Sequence, residues 1–158
     1  KGDSAGGIIE CQITGLPPGL GEPVFDKLDA VLSHAMLSIG AIKGIEFGAG
    51  FESAKKTGST WNDPMRSDGV KVEFLSNNAG GILGGLSNGN TIIFRLAVKP
   101  VPSIYQTQKT ITKNKENIDI IIEGRHDICV CPRIVPVVEA MAFISLADLV
   151  LQNQTARY

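Results

Sequence analysis

The run Gly124-Arg125-His126-Asp127-Ile128-Cys129-Val130-Cys131-Pro132-Arg133 puts two guanidiniums, an imidazole and a carboxylate within ten residues. The apolar stretch Ile134-Val135-Pro136-Val137-Val138-Glu139-Ala140-Met141 follows directly. Arginine can grip a phosphate with a bidentate fork. An adjacent His-Asp pair can move a proton. The cluster therefore suggests an anionic ligand held against a buried element. The competing structural reading is an ion pair closing a strand end, with Asp127 capping a turn. Residue types alone leave the two even, because ionisable clusters mark both sites and structural networks.

Other stretches carry weaker chemistry. His126, Cys129 and Cys131 could be three metal ligands, but zinc usually takes a fourth or keeps an open position with well-spaced ligands. Cys11 and His34 stand alone, so no metal site is expected. Cys129 and Cys131 read more simply as small, buried residues on one face of a strand. Gly80-Gly81 and Gly84-Gly85 bracket Ile82-Leu83. Such glycines let a flat ring or a phosphate lie against main-chain N–H groups, or they mark bulges in a twisted strand. They match neither a Walker A loop nor a Gly-x-Gly-x-x-Gly fingerprint. Lys99-Pro100-Val101-Pro102-Ser103 offers a cation on a rigid, extended tether, or an ordinary strand exit with a snorkelling lysine. Trp61 could clamp a ligand or pin its own loop.

A chain of 158 residues with 43% apolar and 20% charged residues is expected to form one domain with a substantial core. Its net charge of −1 gives no global field for nucleic acid or an anionic membrane, so neither is an expected partner. Three cysteines cannot all pair, and Cys-x-Cys makes a poor disulfide framework, which points to a reducing, cytoplasmic setting. The opening Lys1-Gly2-Asp3-Ser4-Ala5-Gly6-Gly7 lacks an initiator Met and reads as the middle of a longer polypeptide.

The elements that must position the cluster follow from periodicity. Residues 8–13 alternate like a strand. Gly15 to Gly21 is a turn. Glu22-Pro23 opens a helix whose apolar stripe is Val24, Leu28, Val31, Ala35 and Ile39, ending at Gly40. Residues 43–47 form a strand. Residues 49–70 read as a long mobile loop. Val72 and Phe74 suggest another strand. Ser87-Asn88-Gly89-Asn90 predicts a hairpin turn, with residues 91–98 returning. Residues 109–117 are a solvated edge, and 118–122 a strand. Residues 136–152 form a helix apolar nearly all round, so it should be covered on several sides. The order predicts an α+β fold, antiparallel sheet packed on long helices.

Taken together, these pieces resemble the C-terminal part of chorismate synthase. The resemblance rests on residues 1–7, Gly15-Leu16-Pro17-Pro18-Gly19-Leu20-Gly21, Lys43-Gly44-Ile45-Glu46-Phe47-Gly48, Ser76-Asn77-Asn78-Ala79-Gly80-Gly81-Ile82-Leu83-Gly84-Gly85, Lys99 to Ser103 and Gly124-Arg125-His126-Asp127. It implies an enzyme, about twice this long, that eliminates phosphate from 5-enolpyruvylshikimate 3-phosphate to give chorismate. It implies reduced FMN as cofactor and an association with NADPH, while the sequence does not say where the reducing equivalents come from. By the same resemblance Gly40, Ala41, Gly84, Lys99, Pro100, Val101, Pro102, Ser103 and Arg125 would contact FMN. Asp127 would sit near flavin N5 as the catalytic group. The family's catalytic histidines belong to the missing N-terminal half, so His126 is not one of them. Val101 stands where Thr is common, and Ile128 where Pro is usual. The implied fold is a β-α-β sandwich of two similar halves, long helices between two antiparallel sheets, assembled as a homotetramer; this chain is one half. The alternative is a non-catalytic α+β binding or assembly module.

Overall fold

The computed structural model describes residues 2–156. Lys1, at the head of the first matched stretch, lies outside them. Three strands make the main sheet: β1 (Gly7–Ile13), β2 (Ile42–Phe47) and β7 (Ile92–Val98). β7 is central, and both neighbours run antiparallel to it. The register sets Gly7 opposite Val98 and Ile13 opposite Ile92, while a bulge falls between Ile42 and Gly44 of β2. The alternation in β7 buries Ile92, Phe94, Leu96 and Val98 on one face, as a period of two requires. Against that face pack α1 (Leu28–Leu37) and α3 (Cys131–Ala156). Leu28, Leu32 and Met36 of α1 meet Ile134, Val138, Ala142, Leu146 and Leu149 of α3 in one continuous core. The fold is thus a helix layer on one antiparallel sheet, an α+β architecture and one side of a sandwich.

Several elements depart from the pattern expected of them. The first helix begins at Leu28, not at Glu22-Pro23. Glu22 and Asp26 exchange backbone hydrogen bonds of 2.8 and 3.0 Å, which closes a tight loop and leaves Val24 and Phe25 exposed. The Leu28 amide donates instead to the Gly85 carbonyl at 2.8 Å, satisfying one of the helix's orphan N–H groups.

The glycine-rich run also pairs differently. Residues 82–83 (β5) and 86–87 (β6) form their own short hairpin, turned by Gly84 and Gly85 at φ +60° and +87°. Two consecutive positive φ values are the mark of a type I′ turn and favour glycine. The Asn88-Gly89 turn does not join two paired strands. The far edge of β6 is taken by the proline turn: Ser87 Oγ donates to the Pro17 carbonyl at 2.7 Å and accepts from the Leu20 amide at 2.9 Å. With that edge occupied, β7 pairs with β1 and β2.

Residues 49–70 are not structureless. They hold a 3₁₀ turn (Gly50–Lys55), a single helical turn α2 (Gly58–Trp61) and β3 (Met65–Ser67), which pairs with β4 (Val72–Phe74). This arm is tied down by one carboxylate. Asp63 accepts from Ser76 Oγ at 2.5 Å, the Asn78 amide at 2.7 Å and the Ala79 amide at 2.9 Å. The polar stretch 109–117 likewise builds a hairpin, β8 (Gln108–Ile111) with β9 (Asn117–Ile120).

The last helix starts five residues earlier than Pro136. Cys131 is its first residue and Cys129 precedes it in coil, so the two cysteines are not strand residues. At 26 residues, α3 is about 39 Å long. By length and composition it could cross a membrane. Here its buried stripe is used as a core helix. Its opposite face is not covered: Phe143 is 73% and Ile144 65% exposed.

Candidate functional site

One end of the sheet collects most of the chemistry-bearing residues. The strand register puts Gly7, Ile42 and Val98 side by side at that end. Cys131 brings the start of α3 to the same place, since a Cβ on Gly7 would lie 2.7 Å from its Sγ. Four segments converge there through backbone bonds. The Lys99 amide donates to the Ala41 carbonyl at 2.9 Å. Ala41 itself sits at φ +73°, a conformation uncommon for a residue with a Cβ. Ser4 Oγ donates to the Val101 carbonyl at 2.6 Å, and the Ala5 amide to the Ile128 carbonyl at 2.8 Å. The Tyr105 amide donates to the Gly2 carbonyl at 3.0 Å, and the Tyr105 hydroxyl to the Gly124 carbonyl.

Gly40, Ala41, Lys99 to Ser103, Arg125 and Asp127 therefore share one corner of the molecule. Lys99 and Arg125 are exposed, and neither has an ion-pair partner among the described residues. Pro100 and Pro102 keep the tether out of any ladder, as two residues lacking N–H must. The Pro102 carbonyl is held by Gln108 Nε2 at 2.9 Å. His126 faces inward to structure: its ring packs against Tyr105, centroids 5.1 Å apart, and Nε2 lies 3.0 Å from the Ile122 carbonyl. His126, Cys129 and Cys131 do not converge on a metal position; among the described residues no such group of three side chains does.

Asp127 is the most chemically defined member. Its Oδ2 lies 2.8 Å from Arg133 Nη1 in the first turn of α3. The pair is at the surface and spans a helix start, where a buried pair at a strand end was the alternative. Asp127 Oδ1 makes no hydrogen bond among the described residues, so that oxygen can accept a proton.

Gly84 is elsewhere. Gly81 packs on Ile92, at the opposite end of β7 from Lys99. A seven-residue strand is about 23 Å long. Within one chain, Gly84 and the Lys99–Asp127 corner are separated by roughly that distance. A cleft of about 790 Å³ also lies at the Gly84 end, between the β3–β4 arm and the Asn88-Gly89-Asn90 turn, far from the convergent corner.

Sequence reasoning missed Ser4 and Tyr105 as ties of this corner, although Ser4 lies within a matched stretch. It missed Asp63 too. Nothing in local spacing relates a carboxylate to a hydroxyl thirteen residues away and amides fifteen and sixteen away.

The chorismate synthase family model matches residues 1–151. A chorismate synthase of Nitratidesulfovibrio vulgaris (strain DP4) is 55% identical over 154 residues, covering 98% of this chain and 42% of the relative. One from Lachnoclostridium phytofermentans is 56% identical over 156 residues, again 98% of this chain and 42% of the relative. The archaeal chorismate synthase of Archaeoglobus fulgidus is 53% identical over 154 residues, with 97% and 43% covered. A crystal structure of chorismate synthase superposes with a TM-score of 0.76 at 35% identity, over 96% of this chain and 39% of that one. The chain thus spans a little over two fifths of the length of the relatives it matches. With the matched motifs gathered on a half-sandwich of the same architecture, the chain belongs to the chorismate synthase family.

Proposed function

We propose that the longer protein of which this chain forms the C-terminal part is a chorismate synthase, a phosphate lyase. It eliminates phosphate from 5-enolpyruvylshikimate 3-phosphate in a 1,4-sense to give chorismate. Reduced FMN held by these residues would supply electron density for the departure of phosphate. The observation that carries this reading is the convergence of Ala41, Lys99–Ser103 and Arg125–Asp127 at one sheet end in a chain of that family.

The residues there fit such a cofactor. The Lys99 amide and the Ala41 carbonyl satisfy each other, so the backbone of the tether is fixed before any ligand arrives. The Lys99 and Arg125 side chains are left uncompensated, which suits a phosphate. In this reading Lys99 and Arg125 hold the FMN phosphate, the prolines keep the tether extended, and Ser103 and Gly40 complete the cradle. Asp127 keeps one oxygen on Arg133 and would hold the other toward the flavin, where it could carry a proton.

Two features call for more polypeptide than this chain. The exposed Phe143–Ile144 face of α3 is where the N-terminal half would pack. Gly84 could join the corner of another subunit in a homotetramer, which would resolve its separation from Lys99. An anaerobic assay of the full-length protein with reduced FMN tests the proposal: phosphate release is expected, and its absence would overturn it.

A further inference from the structure

His126 has no part in the proposed chemistry, yet its half-buried ring has two partners. Nε2 lies 3.0 Å from the Ile122 carbonyl, four residues back. A carbonyl only accepts, so Nε2 carries the proton and donates. This bond closes residues 122–126 into one tight loop. The second partner is the Tyr105 ring, with centroids 5.1 Å apart and planes tilted by 58°. Tilted packing of this kind suits the charge distribution of the two rings. The Tyr105 hydroxyl also donates to the Gly124 carbonyl.

Arg125 stands between these two holds. Tyr105 grips the carbonyl of the residue before it and the ring of the residue after it. The Arg125 side chain is exposed and makes no ion pair among the described residues. Its backbone is fixed on both sides while its guanidinium is left for a ligand. Tyr105 follows the Lys99–Ser103 tether by two residues, and its amide donates to the Gly2 carbonyl at 3.0 Å. One side chain therefore sets where the arginine stands relative to the tether. Ordering a loop and a long side chain opposes binding, and a loop closed beforehand removes part of that opposition.

We propose that Tyr105, together with His126, is a positioning residue that presents Arg125 to the phosphate of the cofactor. This rests on the reading above, in which Lys99 and Arg125 hold that phosphate. Both rings act through Arg125: the hydroxyl of Tyr105 holds the loop from outside, and the imidazole of His126 closes it from within.

Flavin fluorescence titration of the full-length protein, with FMN and riboflavin side by side, tests this. Tyr105→Phe keeps the ring on His126 and removes only the bond to Gly124. It is expected to weaken FMN roughly three- to tenfold, the loss of one neutral hydrogen bond, and to leave riboflavin within about twofold. Arg125→Met should weaken FMN roughly 10- to 100-fold, the scale of a charge-assisted contact. Adding Tyr105→Phe to Arg125→Met should change FMN affinity by less than about twofold, because nothing is left to position. His126→Ala should resemble Tyr105→Phe, and His126→Gln, whose amide can still donate to Ile122, should recover part of the loss. An unchanged FMN affinity for Tyr105→Phe, an equal loss for riboflavin, or an undiminished loss in the Arg125→Met background would overturn the proposal. If Arg125→Met binds FMN as the parent does, Arg125 is no phosphate ligand and the proposal falls with that assignment. If the binding pattern holds but no phosphate is released from the shikimate ester, the proposed function fails and the positioning role stands.

Discussion

Asp127 and Arg133 meet at 2.8 Å across the first residues of α3, with the arginine 62% and the carboxylate 28% exposed. A pair this open contributes little to stability, at most about 1 kcal/mol. In the proposed function its use is orientation: it fixes one carboxylate oxygen and leaves the other free. Asp127→Asn is expected to slow phosphate release roughly 100-fold or more, with FMN affinity held within about threefold. Arg133→Gln should lower stability by less than about 1 kcal/mol yet also reduce turnover. Equal rates for Asp127→Asn and the parent would remove Asp127 from the mechanism.

The tether gives a second prediction. Lys99 and Arg125 bear charges that nothing among the described residues neutralises, while the Lys99 amide is already bonded to Ala41. Lys99→Met should leave the fold intact and cost one charge-assisted contact, about 1.5–3 kcal/mol, or roughly 10- to 100-fold in FMN affinity. Flavin fluorescence titration of the full-length protein measures it. Riboflavin, which lacks the phosphate, should bind parent and mutant alike. An equal loss for both ligands would mean that Lys99 does not hold the phosphate.

Much of this is legible in the sequence. The alternation of Ile92, Phe94, Leu96 and Val98 specifies one buried strand face, and the structure buries all four. The apolar face of α1 was readable from Leu28 onward. Its start was not, because the Glu22–Asp26 backbone exchange is a local closure with no periodic signature. The sequence pattern makes Pro136 the first residue of a helix. It lies inside α3 instead, where its missing N–H merely leaves the Pro132 carbonyl unpaired. That misplacement hid the Asp127–Arg133 pair, since only a helix starting at Cys131 turns Arg133 back toward Asp127. The corner of Ala41, Lys99 and Arg125 was legible as a set of motifs, and its convergence depends on strand register. Gly84 stays apart for the same reason.

Asp63 sets the acid response of the arm. Burial alone would raise its pKa, but the hydrogen bonds from Ser76, Ala79 and Asn78 together outweigh that and hold it below the usual carboxylate value. A folded-state pKa below the unfolded one gives stability that is fully present above the unfolded value, about 3.9. That stability fades as pH falls through the lower, folded value. Thermal melts between pH 6 and pH 3 should therefore show a smaller acid loss for Asp63→Asn than for the parent. At pH 6 the variant should be less stable by about 1–3 kcal/mol, because the amides of Asn78 and Ala79 lose a charged acceptor. Hydrogen exchange should locate the loosening at those two amides. An unchanged acid loss would mean that other carboxylates govern the response.

Gly84 and Gly85 separate turn strain from cofactor contact. Both carry positive φ, so alanine at either costs about 1–2 kcal/mol in backbone strain. At Gly84 a Cβ meets nothing within 4 Å. At Gly85 it would come within 2.8 Å of Lys27 Cβ and 2.5 Å of its Cγ, so overpacking adds to the strain. Urea denaturation should therefore rank Gly85→Ala as the more destabilised of the two. Flavin affinity in the assembled protein should rank them the other way if Gly84 reaches the cofactor of a neighbouring subunit, because the added methyl would stand where the ring lies. Gly84→Ala with native FMN affinity would reduce this glycine to a turn residue and leave the flavin cradle to the Lys99–Asp127 corner alone.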